Sequence, residues 1–476
     1  MEGSYGRILK KGDEKVKILL VNPPAASYYH RLGLKYPPLG IGYIGAILQS
    51  NGYTVKVIDL NVEKVKIETI PYQDYNIIGI STDTTRYPEA IKIARNAKAK
   101  DKNCIVVIGG PHTTFLDKET LRTKVIDYVV RGEGEYIMLN LVRAIKEEIP
   151  ITEVKGISYI RDNEIIRNPD APFIEDLDTL PFPARNLLPM DKYTATLEGT
   201  YATSLITSRG CPFNCSFCSS SIFSGIKWRA RSPENILEEL EVLHKGYGFK
   251  AIAFWDDNFT LDPKRVIEIC EGILKRNWHF KWWAFSRTES ILKYPKMVEL
   301  MAKAGNYMLF IGFESANQEV LDSYGKKLIT DKAKEVIDTL RRYKIKIMGS
   351  FIIGAIGETK EMIQKTINYA KKLNPDIAQF SILTPYPGTA LFKEVESKII
   401  NRDWSAYTGG HNVFHLERLT PLQLRWLAAK AYISFYGRPE RLLKQGIPSL
   451  WNMIIGYKIN KKVPIKFLNG DWQATS

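Results

Sequence analysis

The chain reads as an α/β protein of two units, a flavodoxin- or Rossmann-like parallel sheet followed by a partial (β/α)6 barrel, with a helical, basic C-terminal region. Three observations predict this. Residues 1–150 hold five short apolar runs without polar alternation, separated by helical patterns; strands buried on both faces of a parallel sheet look like this. Residues 151–196 break that rhythm with a hairpin signal (ISYIRDNEIIRNP) and a proline-rich stretch (DAPFIEDLDTLPFPARNLLP), the mark of a linker. Over 197–400 the alternation resumes for six steps, too few for a closed eight-stranded barrel. Residues 401–476 form the C-terminal region.

In the first unit the strands fall at 16–23, 55–60, 77–82, 104–110 and 128–131. Helices are expected over 39–50, closed by Asn51-Gly52, over 88–98 and over 135–148. In the second unit the strands fall at 203–207, 251–255, 282–286, 308–313, 347–353 and 378–383. Helices start near Pro233, Pro263, Pro295, Asp331 and Thr359; Ser232-Pro233 and Asp262-Pro263 pair a capping side chain with a proline in the first turn. In both architectures functional residues belong just past the C-terminal ends of the strands.

The 476 residues are 45% hydrophobic and 25% charged, an ordinary globular composition that excludes disordered, collagenous and disulfide-scaffold classes. No run approaches the roughly 18 apolar residues of a membrane span. The N-terminus lacks the apolar core of a signal peptide, so a cytoplasmic protein is expected. The net charge of +15 fits an anionic partner such as nucleic acid, a phosphate-bearing cofactor or an acidic membrane surface.

Three of the five cysteines crowd into the eight residues 211–218, within Thr207-Ser-Arg-Gly-Cys211-Pro-Phe-Asn-Cys215-Ser-Phe-Cys218, directly after the first strand of the second unit. In a reducing compartment such crowding points to metal or catalysis. Three thiolates on one short loop can hold three irons of a [4Fe-4S] cluster and leave the fourth iron open to a substrate. Structural zinc wants four closed ligands, and neither Cys104, Cys270 nor a histidine lies nearby in the sequence.

The CxxxCxxC spacing at that strand end, with the aromatic Phe217 before the last cysteine, resembles the radical S-adenosylmethionine (radical SAM) superfamily over roughly 201–391. The resemblance implies that Cys211, Cys215 and Cys218 bind a [4Fe-4S] cluster whose open iron chelates S-adenosylmethionine, which is then cleaved to a 5′-deoxyadenosyl radical. It also implies contacts to that ligand. Asp256 and Asp257 (FWDDNF) would meet the methionine ammonium, with a helix cap or a solvated turn as the alternative. Arg287 (FSRTES) would meet the carboxylate and Glu314 (GFES) the ribose, with a plain salt bridge as the alternative for either. Gly354, in Gly354-Ala-Ile-Gly-Glu358, would let the backbone approach adenine.

A parallel sheet ahead of such a domain is similar to the cobalamin-binding group of the superfamily. The residues that carry this likeness lie at strand ends: Asn22 and Pro23, then Pro38 and Gly40, Ser81 and Thr82, Gly109, Gly110, Pro111 and His112, and Gly132 and Glu133. Small residues there admit a cofactor's nucleotide tail, and helix starts can take its phosphate. In Tyr28-Tyr29-His30-Arg31-Leu32-Gly33 the His and Gly match the Asp-x-His-x-x-Gly of free cobalamin-binding domains, but Tyr28 replaces the Asp, so His30 is read as a loop residue and not a cobalt ligand. The related methylthiotransferases carry three cysteines in this domain. Here it has only Cys104, inside an apolar strand, and no RNA-binding barrel follows, so no nucleic-acid partner is expected.

The resemblance thus implies a cobalamin-dependent radical SAM enzyme that abstracts hydrogen from an unactivated carbon and methylates it from methylcobalamin. The same cofactors could instead drive carbon–carbon bond formation, ring closure or oxidation of a lipid-like or tetrapyrrole-like substrate; an iron–sulfur or cobalamin sensor is the reading from another class. An external donor such as ferredoxin or flavodoxin is implied. Between Arg438 and Lys466 basic residues interleave with Leu442, Trp451, Ile454 and Tyr457, a composition suited to peripheral membrane contact.

Overall fold

The structure, a computed structural model, describes residues 16–25, 33–326, 328 and 330–441. His30 and the greater part of the basic C-terminal stretch, residues 442–476, lie outside the described residues.

Five strands, β1 (Lys17–Asn22), β2 (Thr54–Asp59), β3 (Ile77–Ser81), β4 (Ile105–Gly109) and β5 (Tyr128–Val130), pair in parallel in the order β2-β1-β3-β4-β5. Their apolar side chains are buried on both faces, Ile18, Leu19, Ile77, Ile78 and Val106 all at 0% exposure, which explains the absence of alternation in the sequence. The hairpin β6 (Ile157–Arg161) and β7 (Glu164–Arg167) adds to this sheet antiparallel, next to β5.

The chain then crosses to a second sheet. A short antiparallel strand, β8 (Thr196–Leu197), leads into β9 (Thr200–Leu205), and a small ribbon, β10 (Ser208–Arg209) with β11 (Arg229–Ala230), follows. The parallel series continues with β12 (Ala251–Phe254), β13 (Lys281–Ser286), β14 (Asn306–Glu314), β15 (Lys346–Ile353) and β16 (Ile377–Ile382), in the order β16-β15-β14-β13-β12-β9-β8. Six parallel strands make a half-barrel. Along β13 the buried Trp282, Ala284 and Ser286 alternate with the half-buried Lys281, Trp283 and Phe285. One face therefore packs under helices, and the other forms the concave interior.

Buried ion pairs fix the crossing. Glu239, 1% exposed, accepts from Arg185 of the connection at 2.7 Å and from Arg231 at 2.5 Å. Removing one member of such a group strands a buried charge, at a cost of about 3–5 kcal/mol.

The free edge of the half-barrel is covered by the helix Pro421–Tyr436, which a Thr420/Gln423 capping box starts. Two of its hydroxyls bind the edge backbone. Tyr436 Oη accepts from Ala378 N at 3.0 Å and donates to Ala378 O at 2.9 Å, and Tyr432 Oη does the same with Phe380 N and O at 3.1 Å each. Among the described residues no helix is long and apolar enough to cross a membrane.

Candidate active site

The cysteine loop leaves the C-terminal end of β9 and is pinned at its start by two carboxylates. Asp256, fully buried beyond β12, accepts from Thr207 N at 2.7 Å, from Ser208 Oγ at 2.5 Å and from the Thr207 hydroxyl, with Arg265 Nη2 at 3.6 Å. Asp257 accepts from Gly210 N at 3.1 Å. Gly210 has φ +85, and a Cβ there would lie 2.0 Å from Lys227 O, so only glycine permits the turn into Cys211. The structure thus turns the Asp256 carboxylate inward onto the loop, while Asp257 stands on the exposed side.

Cys211 and Cys215 are buried, Cys218 is half-buried, and all three are free thiols. Ser216 N donates to Tyr324 O at 3.0 Å, Cys218 N donates to Cys215 O at 3.0 Å, and Phe217 packs edge-on against Tyr324 at 4.9 Å. Burial pushes the Cys211 thiol up to about 11 and raises that of Cys215, against the opposing charge of Arg287. Metal ligation supplies the thiolate that the protein alone disfavours here. Among the described residues no three or more His, Cys, Asp or Glu converge on a point that one ion would take. A four-iron cluster takes one thiolate per iron, which three thiols on one short loop can supply.

The other ligand-facing residues gather around this loop. Arg287 Nη1 stands 4.0 Å from Cys215 Sγ, its guanidinium lies 3.8 Å from the Phe213 ring centre, it pairs with Glu289 at 2.9 Å, and its Nε is buried without a partner. Glu314, 6% exposed, is held at φ +56 beyond a bulge in β14 and pairs with Lys326 at 2.6 Å. Lys326 also donates to Gly312 O at 2.8 Å and adds positive charge near Cys215. The sequence reading missed Lys326, since no local spacing joins it to Glu314. Gly354, at φ +84, packs against Leu424, and its N–H and that of Ala355 donate to Glu358 at 2.7 and 2.9 Å. Burial raises the Glu358 carboxyl to about 7.

The strand ends of the first sheet form the opposing wall. Ser81 pairs with Gly109 across the β3–β4 edge, and Thr82 N donates to Gly109 O at 2.9 Å. Gly110 has φ +116, and a Cβ there would lie 2.1 Å from Thr82 O. Gly40 and Gly132 have no atom within 4 Å of where a Cβ would stand, so the edge offers backbone to open space, as a large planar cofactor requires. Pro38 precedes Gly40 at the start of the helix Leu39–Ser50, and Pro111 opens the short helix Pro111–Phe115. Asn22, 4% exposed, donates to Asp59 at 2.8 Å and accepts from Arg86 at 3.0 Å; Pro23 beside it is buried. His112, 1% exposed, lies between Tyr87 and Trp404 with Nε2 unpartnered.

The two walls are joined on both flanks. Arg209, two residues before Cys211, donates to Glu133 at 2.9 Å and to Glu135 at 2.6 Å, and Arg229 reaches Glu133 at 2.8 Å. Burial opposes ionisation of Glu133, but Arg229 and Arg209 outweigh it and hold its carboxyl below the usual range. On the other flank Phe115 fills the space beside Gly388, where a Cβ would lie 2.5 Å from its ring.

A sequence profile of the Radical SAM superfamily matches residues 205–370, and one of the B12 binding domain matches 25–142. The chain is 39% identical over 437 residues to an uncharacterized methyltransferase of Pyrococcus horikoshii, covering 90% of this chain and 94% of that one. It is 32% identical over 403 residues to the anaerobic magnesium-protoporphyrin IX monomethyl ester cyclase of Rubrivivax gelatinosus, covering 82% and 72%. Among solved structures, the cobalamin-dependent S-adenosylmethionine radical enzyme OxsB, with aqua-cobalamin and S-adenosylmethionine bound, superposes with a TM-score of 0.75 at 19% identity over 93% of this chain and 72% of that chain, a likeness of fold.

Proposed function

Since this chain belongs to the radical SAM superfamily, in the branch that carries a B12 binding domain, we propose that it methylates an unactivated carbon of a small, apolar organic substrate. The observation that carries this reading is the ion-paired joint that sets the Cys211–Cys218 loop against the Gly132–Glu135 turn. When bound, the [4Fe-4S] cluster with S-adenosylmethionine supplies hydrogen abstraction, and cobalamin supplies the methyl group.

The protein's part is to hold and orient. Cys211, Cys215 and Cys218 would each take one iron, with Phe217 packing the loop. Arg287 puts a positive charge beside Cys215, suited to a carboxylate. Asp257, the Glu314–Lys326 pair and the turn at Gly354 would border S-adenosylmethionine, and Asp256 keeps the loop in register. Asn22, Pro23, Pro38, Gly40, Ser81, Thr82, Gly109, Gly110, Pro111, His112, Gly132 and Glu133 would frame cobalamin. The domain limits proposed are 1–150, 151–196, 197–400 and 401–476, with the β6–β7 hairpin of the connecting segment joined to the first sheet. An external one-electron donor such as ferredoxin or flavodoxin would reduce the cluster. Peripheral contact with an anionic membrane is part of the reading: Leu422, Trp426 and Ile433 are 77%, 59% and 73% exposed along one helix, and salt-sensitive co-sedimentation with anionic liposomes tests it.

Anaerobically reconstituted protein reduced with dithionite should release 5′-deoxyadenosine, and extracts incubated with it should yield a product heavier by one methylene unit. Ring closure is the second reading, supported by the 32% identity to a cyclase; its product loses two hydrogens instead.

A further inference from the structure

The concave face of the half-barrel carries an apolar belt that the described residues cover only in part. Across four strands the register aligns Phe285 with Phe310, Phe310 with Met348, and Met348 with Ile377. Trp255, just past β12, continues the row, with its ring 5.8 Å from that of Phe285, which is 4.9 Å from that of Phe310. These side chains are half-buried or exposed. Trp255 is 40% exposed, whereas Trp282, on the helix-covered face, is 1% exposed. A contiguous apolar surface inside a concave wall marks a binding site.

What brackets the belt sets its orientation. Toward the strand starts, Lys281 and Lys346 pair with Glu198 of the β8–β9 turn at 2.6 and 3.9 Å, an ionic floor. Above that floor the first unit inserts Tyr36, whose hydroxyl accepts from Trp283 Nε1 at 3.3 Å and whose ring meets Trp255 edge-on at 5.6 Å. Toward the strand ends the next row is polar, Gly312, Ser350 and Gln379 in register, and Arg287 closes β13 at the same level beside Cys215. A molecule seated on the belt therefore has its body on aromatic rings and its upper edge at the cysteine loop.

We propose that Trp255, Phe285 and Phe310, with Tyr36 from the first unit, form the substrate wall and select an apolar, ring-bearing molecule without a charged group on the part that lies along the belt. Rings rather than chains follow from the wall itself: aromatic edges and faces attract other rings by about 0.5–1.5 kcal/mol per pair beyond area burial, and the belt holds no charge to neutralise one on the ligand. This rests on the enzyme reading above and adds the substrate class.

The test uses the full chain with its cluster reconstituted and the neutral fluorescent probe N-phenyl-1-naphthylamine. The probe should bind saturably, and a neutral steroid should displace it while dodecanol does not. Trp255→Ser and Phe310→Ser should each weaken the probe roughly tenfold, and Phe310→Leu, which keeps the apolar contact without the ring, roughly threefold. Leu274→Ser and Ile400→Ser, at outward positions 40% and 53% exposed, should change nothing. Iron content reports folding of each variant, and Phe310→Leu carries the test if a serine variant loses its iron. Absence of probe binding, wall variants that bind like the parent, outward variants that weaken it equally, or displacement by dodecanol would each overturn the proposal. Binding is read without S-adenosylmethionine or reductant, so its failure is separate from failure to release 5′-deoxyadenosine.

Discussion

At the carboxyl edge of β1–β5 the positions open to a ligand are backbone. Gly40 and Gly132 face open space, while the polar side chains there are turned inward, Asn22 onto Asp59 and Arg86, and His112 between two aromatic rings. At the carboxyl edge of β9–β16 the groups a ligand would meet are side chains: three thiols, the Arg287 guanidinium and the Glu314–Lys326 pair. The difference follows from what each edge would hold. A macrocycle brings its own reactive metal and needs room and shape. An iron–sulfur cluster needs donor atoms, and its ligand needs charges.

Loss of a donor atom should break this contrast most severely. Cys211→Ala, Cys215→Ala or Cys218→Ala should each abolish cluster iron and 5′-deoxyadenosine release. Cys104→Ala and Cys270→Ala, at 1% and 0% exposure in the two cores, should keep about four irons per chain. Iron loss in Cys270→Ala would mean a fourth protein ligand.

Next in size is the joint between the edges. Arg209→Ala leaves Glu133 and Glu135 beside it with one cation fewer, and unfolding in urea should show a loss of about 3–5 kcal/mol. Cobalamin affinity should fall with it. Arg209→Lys, with one ammonium in place of a two-pronged guanidinium, should recover part of both. Unchanged stability would mean the ion pairs do not join the edges.

The contrast sharpens in pH dependence, where one group at each edge has the opposite sign. Burial raises Glu358 to about 7 from its ordinary 4.5, so the folded protein holds this proton more tightly. That stability is fully present below about pH 4.5 and is lost as pH rises through 7. Burial lowers His112 to about 3 from 6.5, so its stability is present above 6.5 and is lost as pH falls toward 3. The difference in unfolding free energy between parent and Glu358→Gln should therefore drift by on the order of 1–3 kcal/mol against the parent as pH rises from 4.5 to 7. The difference between parent and His112→Asn should drift against the parent as pH falls below 6.5. Parallel drifts in the two comparisons would remove the contrast.

Sequence reading resolved what is local and left out what folding brings together. The cysteine loop was legible because its spacing and its place after a strand lie within twelve residues. The strands were legible because apolar runs end where the chain turns: 347–353 was expected, and Lys346–Ile353 is observed. The hairpin after residue 151 was legible as a hairpin, but its pairing with β5 was not, since antiparallel return to a parallel sheet leaves no local mark. The role of Asp256 was hidden because its partners Thr207 and Ser208 lie 49 and 48 residues upstream. The Glu133–Arg209 pair spans 76 residues, and only the fold closes that distance.

A half-barrel has a problem that a closed barrel lacks. Its last strand ends in a row of amide and carbonyl groups that another extended chain could zip onto, and a parallel β16 would otherwise offer that template to every copy of the protein. Tyr432 and Tyr436 occupy those groups with hydroxyls four residues apart, one helical turn matched to alternate residues of the strand. The helix Pro421–Tyr436 thereby seals an edge with two phenols instead of a seventh parallel strand. Replacing both tyrosines with phenylalanine keeps the packing and removes the seal, and a slow rise in light scattering on storage, with iron content unchanged, is the small effect expected.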